Sequence, residues 1–370
     1  MKNIYIIGSR GYHVNYGGWE TFTSRLVDHY NDPNTHFYVT QLTHNKKDTY
    51  TDSDKVTVIP IYTPRIGGAT MFLHTIRAFK TCMKIAEEGE IFYVLGLKLY
   101  NRLKRKKRKL EKLGVKVFVN PDGMEWQRSK WGKQVKKFFL KSEKLMLNNA
   151  DTIICDAKGI KSYIDRKYKH LKDKTRYIPY GFETYKLNNE KEVLKEHELK
   201  KDNYCLVVGR CEPENNFELI IKAFMKSKID KQLVIITNFS ESSYYKDLVE
   251  STKYMSDPRI KFIDGVYDKE KLACIRKNAY MYIHGHSVGG TNPSLIEALS
   301  LTDVNVLYNV SFNRDIGQKT CLYFKSIKDL TKILDNDIDK SLGKEAKKLA
   351  KANYTWDKIV DQYKAVFNEA

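Results

Sequence analysis

Residues 289–299 read GGTNPSLIEAL. Two glycines, an Asn-Pro pair and a Ser lead straight into an apolar run that carries one acid, Glu297. A helix start exposes unpaired backbone N–H groups and a partial positive charge, so it can hold an anion. Glycine lets a ligand approach the backbone closely. The stretch Gly289, Gly290, Thr291, Asn292 and Ser294 is therefore a candidate phosphate cradle, with Glu297 about one turn inside the helix. Its alternative is an ordinary loop before a capped helix.

Working outward, the same strand–loop–helix grammar recurs. MYIHGHS precedes the quoted stretch as a strand, and NVLYN and CLYF follow it. Upstream, YCLVVGR, KQLVIITN and IKFIDG read as strands separated by the helical patterns FELIIKAFMKS, YKDLVESTKYM and KEKLACIRKNA. The N-terminal half repeats the alternation, from NIYIIGSRG through HFYVTQLT, KVTVIPIY, EIFYVLGL, VKVFVNPDG and DTIICDA to TRYIPYGFE. Such alternation predicts α/β architecture, two Rossmann-like doubly wound domains facing across a cleft. The expected division is a first domain at 1–180, a polar linker at 181–202 and a second domain at 203–352. A terminal helix at 353–370 would cross back to the first domain.

Open α/β sheets bind ligands beyond the carboxyl ends of their strands. Four candidate loops follow strands: GSRGYHVNYGGWE, PDGMEW, VVGRCEPENN and HGHSVGGTNPS. That coincidence points to one site for a phosphorylated ligand. The balance of 65 Lys and Arg against 45 Asp and Glu, +20 overall, calls for an acidic partner. The six cysteines form no CxxC pattern and read as buried thiols of a reducing compartment. No run approaches the roughly 20 apolar residues that span a bilayer, and the N-terminus lacks a signal-peptide core. The expected location is cytoplasmic, peripheral on the inner face of the cell membrane.

Five segments in order, GSRGYHVNYGGWETF, NPDGMEWQRSKW, IPYGFE, VVGRCEPENN and GHSVGGTNPSLIEAL, resemble GT-B glycosyltransferases of glycosyltransferase family 4. More closely, they resemble bacterial rhamnosyltransferases of capsule, cell-wall and exopolysaccharide synthesis. The resemblance implies a retaining enzyme with no cofactor, using a nucleotide-sugar donor, dTDP-rhamnose, and a lipid-linked glycan acceptor. A UDP-hexose donor is the alternative within that class. Outside it stand an inactive nucleotide-sugar-binding protein and a nucleic-acid-binding protein, the latter without any of its fold motifs in the chain.

By this resemblance Glu297 binds the nucleotide ribose, where a carboxylate accepts two hydrogen bonds from a vicinal diol. The family's first acid would fall at Gly289, and none is there; a 6-deoxysugar has one hydroxyl fewer to hold. Arg210 matches the phosphate-binding arginine, its fork suited to two phosphate oxygens. Its alternative is a surface salt bridge with Glu212 or Glu214. The family's lysine some five residues on is replaced by Asn215 or Asn216. Gly17 and Gly18 match the loop over the diphosphate. Glu20 either meets a sugar hydroxyl or starts the helix as a favourable acid. Asp122 and Glu125 either take or orient the acceptor proton, or are a turn Asp and a helix-start Glu. His284 and His286 share a strand face. One, His286 in the expected site, would hydrogen-bond sugar or phosphate, and the other would pack. With no third ligand nearby and no DxD motif, no metal site is expected.

Two basic segments lie in the N-terminal half. Residues 98–116 hold ten Lys or Arg, and residues 128–145 place Trp131, Val135, Phe138 and Phe139 on one helical face among lysines. The pattern suits an anionic membrane surface. Its alternative is a helix packing on the sheet with lysines in water.

Overall fold

The structure, a computed structural model, describes residues 1–14, 16–127, 131–240, 242–288 and 290–369. The chain divides into two compact units, Met1–Tyr180 with Trp356–Ala370, and Gly181–Thr355.

The first unit is built on β1 (Lys2–Ile7), β2 (Thr35–Thr43), β3 (Thr51–Asp52), β4 (Val56–Tyr62), β5 (Ile91–Leu95), β6 (Lys116–Asn120), β7 (Thr152–Cys155) and β8 (Thr175–Tyr177). Among the described residues they form one sheet in the order β3-β4-β2-β1-β5-β6-β7-β8. It is parallel except for the edge pair β3–β4. Strands such as Ile91–Leu95 are buried along their whole length, as expected of a parallel sheet covered on both faces. The covering helices are α1 (Gly18–His29), α2 (Thr70–Ile85), α3 (Arg102–Lys112), α4 (Lys133–Leu147) and α5 (Lys158–Lys167).

The second unit starts with α6 (Glu190–Glu196), then alternates β9 (Tyr204–Val208), α7 (Phe217–Lys226), β10 (Gln232–Ile236), α8 (Ser243–Thr252), β11 (Ile260–Ile263), α9 (Lys269–Lys277), β12 (Met281–His284) and α10 (Pro293–Leu301). It closes with β13 (Asn305–Tyr308), α11 (Ser311–Gly317), β14 (Leu322–Phe324), α12 (Ile327–Leu334) and α13 (Ser341–Asn353). Its sheet, parallel throughout, runs β11-β10-β9-β12-β13-β14. In sheet order this is 3-2-1-4-5-6, the dinucleotide-type arrangement, whose order reverses between its first and fourth strands. The last helix, α14 (Trp356–Asn368), belongs to the first unit. There Tyr363 and Phe367 are fully buried, and the Tyr363 hydroxyl meets that of Tyr93 at 2.9 Å.

Three segments of the sequence reading take definite form. The stretch 181–202, read as a linker, groups with the second unit and contains α6, whose Val193 and Leu194 are buried. The basic stretch 98–116 contains a helix, α3, that buries only Leu103 and Leu110. The apolar face expected on 128–145 turns inward within its own unit. Phe139 is buried, Phe138 stacks on Tyr100 at 5.1 Å, and Phe72 meets both phenylalanines. Of that face only Val135 stands exposed, and residues 128–130 lie outside the described residues. All six cysteines are buried and unbridged.

Candidate active site

In the second unit the sheet order reverses between β9 and β12, so the loops leaving these two strands are neighbours. They are zipped together. The Asn216 amide donates to the Gly285 carbonyl at 2.7 Å. The Ser287 N–H and hydroxyl both donate to the Glu214 carbonyl at 2.9 Å. Asn216 takes a left-handed backbone, φ 53°, a region where Asn is tolerated better than most residues. Gly285 admits no side chain: a Cβ there would lie 2.0 Å from the Asn215 carbonyl oxygen.

Asn215 completes the clamp. Its Nδ2 donates to the Arg210 carbonyl at 2.7 Å, and its Oδ1 lies 3.1 Å from His286 Nδ1. With the amide oxygen accepting, Nδ1 carries the proton, so a neutral His286 has Nε2 as its acceptor. The two residues that stand where relatives carry a lysine therefore serve as loop fasteners. The Arg210 side chain is exposed, 59%, with Nη1 3.4 Å from Glu212 Oε1. Its alternative partner from the sequence reading is thus the contact it makes. An exposed ion pair of this length contributes little, and the guanidinium can exchange it for phosphate oxygens.

The quoted stretch folds as a capped helix start. Asn292 is the N-cap of α10, its side chain accepting the Ser294 N–H at 2.9 Å, with Pro at the first helical position. Ser294 and Glu297 stand three residues apart, hence on one face. Both are held from α9 by Arg276. One guanidinium nitrogen lies 2.6 Å from Glu297 Oε2, and another donates to Ser294 Oγ at 2.9 Å. The Tyr282 hydroxyl meets Ser294 Oγ at 2.9 Å. Thr291 is buried; Gly290 is partly exposed; Gly289 lies outside the described residues.

His284 and His286 do share a face, with ring centroids 5.9 Å apart. They differ in environment. His284 is buried, and burial, followed by the charges of His286 and Arg276, holds its pKa well below the usual imidazole value, so the ring stays neutral. Among the described residues no group of three His, Cys, Asp or Glu side chains could hold a metal ion.

In the first unit the sheet order turns between β1 and β5, and the loop after β1 is fastened there. Gly8, at φ 115°, would place a Cβ 2.4 Å from the Leu95 carbonyl oxygen. His74 of α2 donates through Nε2 to the Ser9 carbonyl at 3.0 Å, Glu20 accepts the Arg10 N–H at 2.8 Å, and Ser24 accepts the His13 N–H at 2.8 Å. Glu20 is thus buried as a loop anchor. Gly17 is the N-cap of α1, and Gly18 faces open space.

Asp122 follows β6 at φ 62°. Its N–H donates to Asn120 Oδ1 at 2.9 Å, and its carboxylate accepts the Trp19 indole N–H at 3.3 Å. Trp19 thereby ties this loop to the first turn of α1, beside Gly17 and Gly18. Glu125 accepts the Trp131 indole N–H at 3.0 Å. The sequence reading missed Asp156, which follows β7 and is buried. Burial, and then the Asp122 carboxylate, push its acid up to about 7. A second acid after the next strand, in DTIICDA, was the available signal. Arg276 gave none, because its partners lie 18 and 21 residues away.

Two parallel α/β units, each with a fastened glycine-bearing loop where its strand order reverses, define the GT-B class. Residues 189–356 match the family of glycosyl transferases group 1, and residues 1–183 match a domain of unknown function, DUF1972. The chain thus joins an N-terminal DUF1972 segment to a segment of the glycosyl transferases group 1 family. It is 24% identical to an uncharacterised glycosyltransferase of Methanocaldococcus jannaschii over 99% of both chains. In fold it is similar to sucrose-phosphate synthase from Thermosynechococcus elongatus, with a TM-score of 0.78 at 17% identity, covering 100% of this chain and 99% of that one. It is also similar to Anabaena HepE in complex with UDP, with a TM-score of 0.71 at 12% identity over the full length of both. No described helix is long and apolar enough to cross a membrane.

Proposed function

We propose that the chain is a retaining, metal-independent rhamnosyltransferase. It moves L-rhamnose from dTDP-rhamnose onto a lipid-linked glycan precursor of bacterial surface polysaccharide, at the inner membrane face. The carrying observation is the zipped pair of loops after β9 and β12. It leaves Arg210 exposed on the loop after β9, while the adjacent strand β12 leads into a helix whose first turns carry Ser294 and Glu297. In this reading Glu297 meets the 3′-hydroxyl of the nucleotide's deoxyribose, and Arg210 with the amides of Gly289, Gly290 and Thr291 takes up charge on the departing diphosphate. The bond from the anomeric carbon to the diphosphate oxygen breaks as the acceptor hydroxyl oxygen bonds on the same face. Asp122 or Glu125 takes or orients the acceptor proton. Gly17, Gly18 and His286 line the sugar-phosphate path, and Glu20 supports the loop from beneath. The absence of an acid at Gly289 favours a sugar that lacks a hydroxyl.

A UDP-hexose donor is the second reading. The HepE complex with UDP favours it, as does the fitness of a carboxylate for a full vicinal diol. Thermal denaturation with dTDP, UDP, GDP and ADP separates the two. A nucleotide at 100 times its Kd adds about 2.7 kcal/mol of stability. A shift with dTDP alone supports rhamnosyl transfer, and one with UDP alone replaces the donor. No shift with any nucleotide removes the proposal.

A further inference from the structure

Helices α2 and α3 enclose an open groove of ≈ 590 Å³ on the first unit. Its floor is the apolar pair Phe79 and Met83, and its rim carries Lys80 and Lys84 from α2. Arg102, Arg105, Lys106 and Lys109 from α3 complete the rim. All six cations are exposed. None has a carboxylate within ion-pair distance among the described residues, whereas Lys107 on the same helix is paired with Asp151 at 2.7 Å. The six include three like-charge pairs at i,i+4: Lys80 with Lys84, Arg102 with Lys106, and Arg105 with Lys109. Such pairs weaken a helix. Two further such pairs on α3, Lys104 with Arg108 and Arg108 with Lys112, lie off the groove. What sets the groove apart is that its six cations surround an apolar floor, where an anion with an apolar tail neutralises them.

We propose that this groove binds an anionic lipid, with the phosphate head among the rim cations and an acyl chain along the methylene stems of those side chains, above the buried Phe79 and Met83. Guanidinium and ammonium groups make charge-assisted bonds to phosphate oxygens. The methylene stems of the rim side chains extend the apolar lining. Free phosphate has no use for the floor. Nucleic acid is disfavoured because the one aromatic ring of the groove, Phe79, is 2% exposed and offers no face on which a base could stack. The inference deepens the proposed reading, since it names the surface where a lipid-linked acceptor is met. It rests on that reading only for the acceptor.

The test uses the full chain and needs no turnover. Flotation with phosphatidylcholine vesicles is compared with flotation on vesicles containing one-third phosphatidylglycerol. The variant R102E/R105E/K109E reverses three rim charges. The variant K104E/R108E/K112E reverses three exposed charges on the same helix that do not line the groove. The expected result is binding to the anionic vesicles only, weakened at least ~tenfold by the rim variant and within about twofold of the parent in the control variant. A short-chain phosphatidylglycerol should raise the melting temperature of the parent, and inorganic phosphate at equal concentration should not. Equal losses in both variants would reduce the groove to diffuse charge. Binding to a single-stranded oligonucleotide in preference to the vesicles, or no vesicle binding at all, overturns the proposal. A nucleotide-dependent melting shift retained by both variants shows that they fold, and keeps this outcome separate from the fate of the donor reading.

Discussion

Arg276 and Glu297 form an ion pair, Nη1 to Oε2 at 2.6 Å, in which the arginine side chain is 4% exposed and the glutamate 22%. The carboxylate expected to hold the ribose is thus itself held from α9. Breaking one side of a buried pair costs ~3–5 kcal/mol, because the remaining charge is stranded. Glu297→Ala should therefore lower stability by about 3 kcal/mol as well as weaken nucleotide binding. The double variant Arg276→Met, Glu297→Leu should recover most of that stability and none of the binding. Chemical denaturation and nucleotide titration read the two separately; a double variant no more stable than Glu297→Ala argues against the pair as the cause.

Arg210 behaves differently because it is exposed. Arg210→Ala should leave the melting temperature nearly unchanged while raising the barrier to transfer by roughly 2–4 kcal/mol, the loss expected for one preorganised donor. Steady-state turnover of the donor identified by melting is the measurement. Near-parental turnover would take Arg210 out of the mechanism.

Gly285 is where the two loops touch backbone to backbone. In Gly285→Ala the new Cβ would sit 2.0 Å from the Asn215 carbonyl oxygen, so the loops must part. A loss of about 3 kcal/mol or more is expected from such overpacking, together with loss of nucleotide binding. Parental stability would mean that the loops slide apart without cost.

Asp156 gives a pH signature. Its acid is raised to about 7 in the folded protein against about 3.9 in an unfolded chain. Between these values the folded state holds a proton that the unfolded state has released, so this group lowers stability as pH rises from about 4 to 7. The full effect is at most ~4 kcal/mol. Asp156→Asn should gain stability over the parent progressively across that window and hold the gain above it. Denaturation curves at pH 5 and pH 8 decide the matter; an equal difference at both would exclude the titration.

The strands were legible because a parallel sheet covered on both faces demands short, continuous apolar runs, as in Tyr204–Val208 and Ile91–Leu95. The candidate loops were legible because they sit where those runs stop. α3 was harder to see: only Leu103 and Leu110 are buried among its basic residues, and two apolar positions seven apart are a faint helical signal. The same applies to α6, whose burial depends on Val193 and Leu194 alone. At the candidate site, Asn292, Ser294 and Glu297 could be named from local pattern, and Arg210 from the family resemblance. The roles of Asn215 and Gly285 could not, since each is defined by a partner about 70 residues away.

What the sequence determined by itself is the alternation of strand and helix, the strand-end loops with their glycines, and the chemical types at the site. These follow from local periodicity and from turn chemistry, which act over a few residues. Only the tertiary structure decided which loops are fastened together and which charges are already spent. It brought Arg276 to Glu297, gave Glu20 to the backbone of its own loop, placed Asp156 beside Asp122, and gathered around Phe79 and Met83 six cations without an ion-pair partner among the described residues. Each of those outcomes depends on distance in space and on the exclusion of water, and neither is encoded in spacing along the chain.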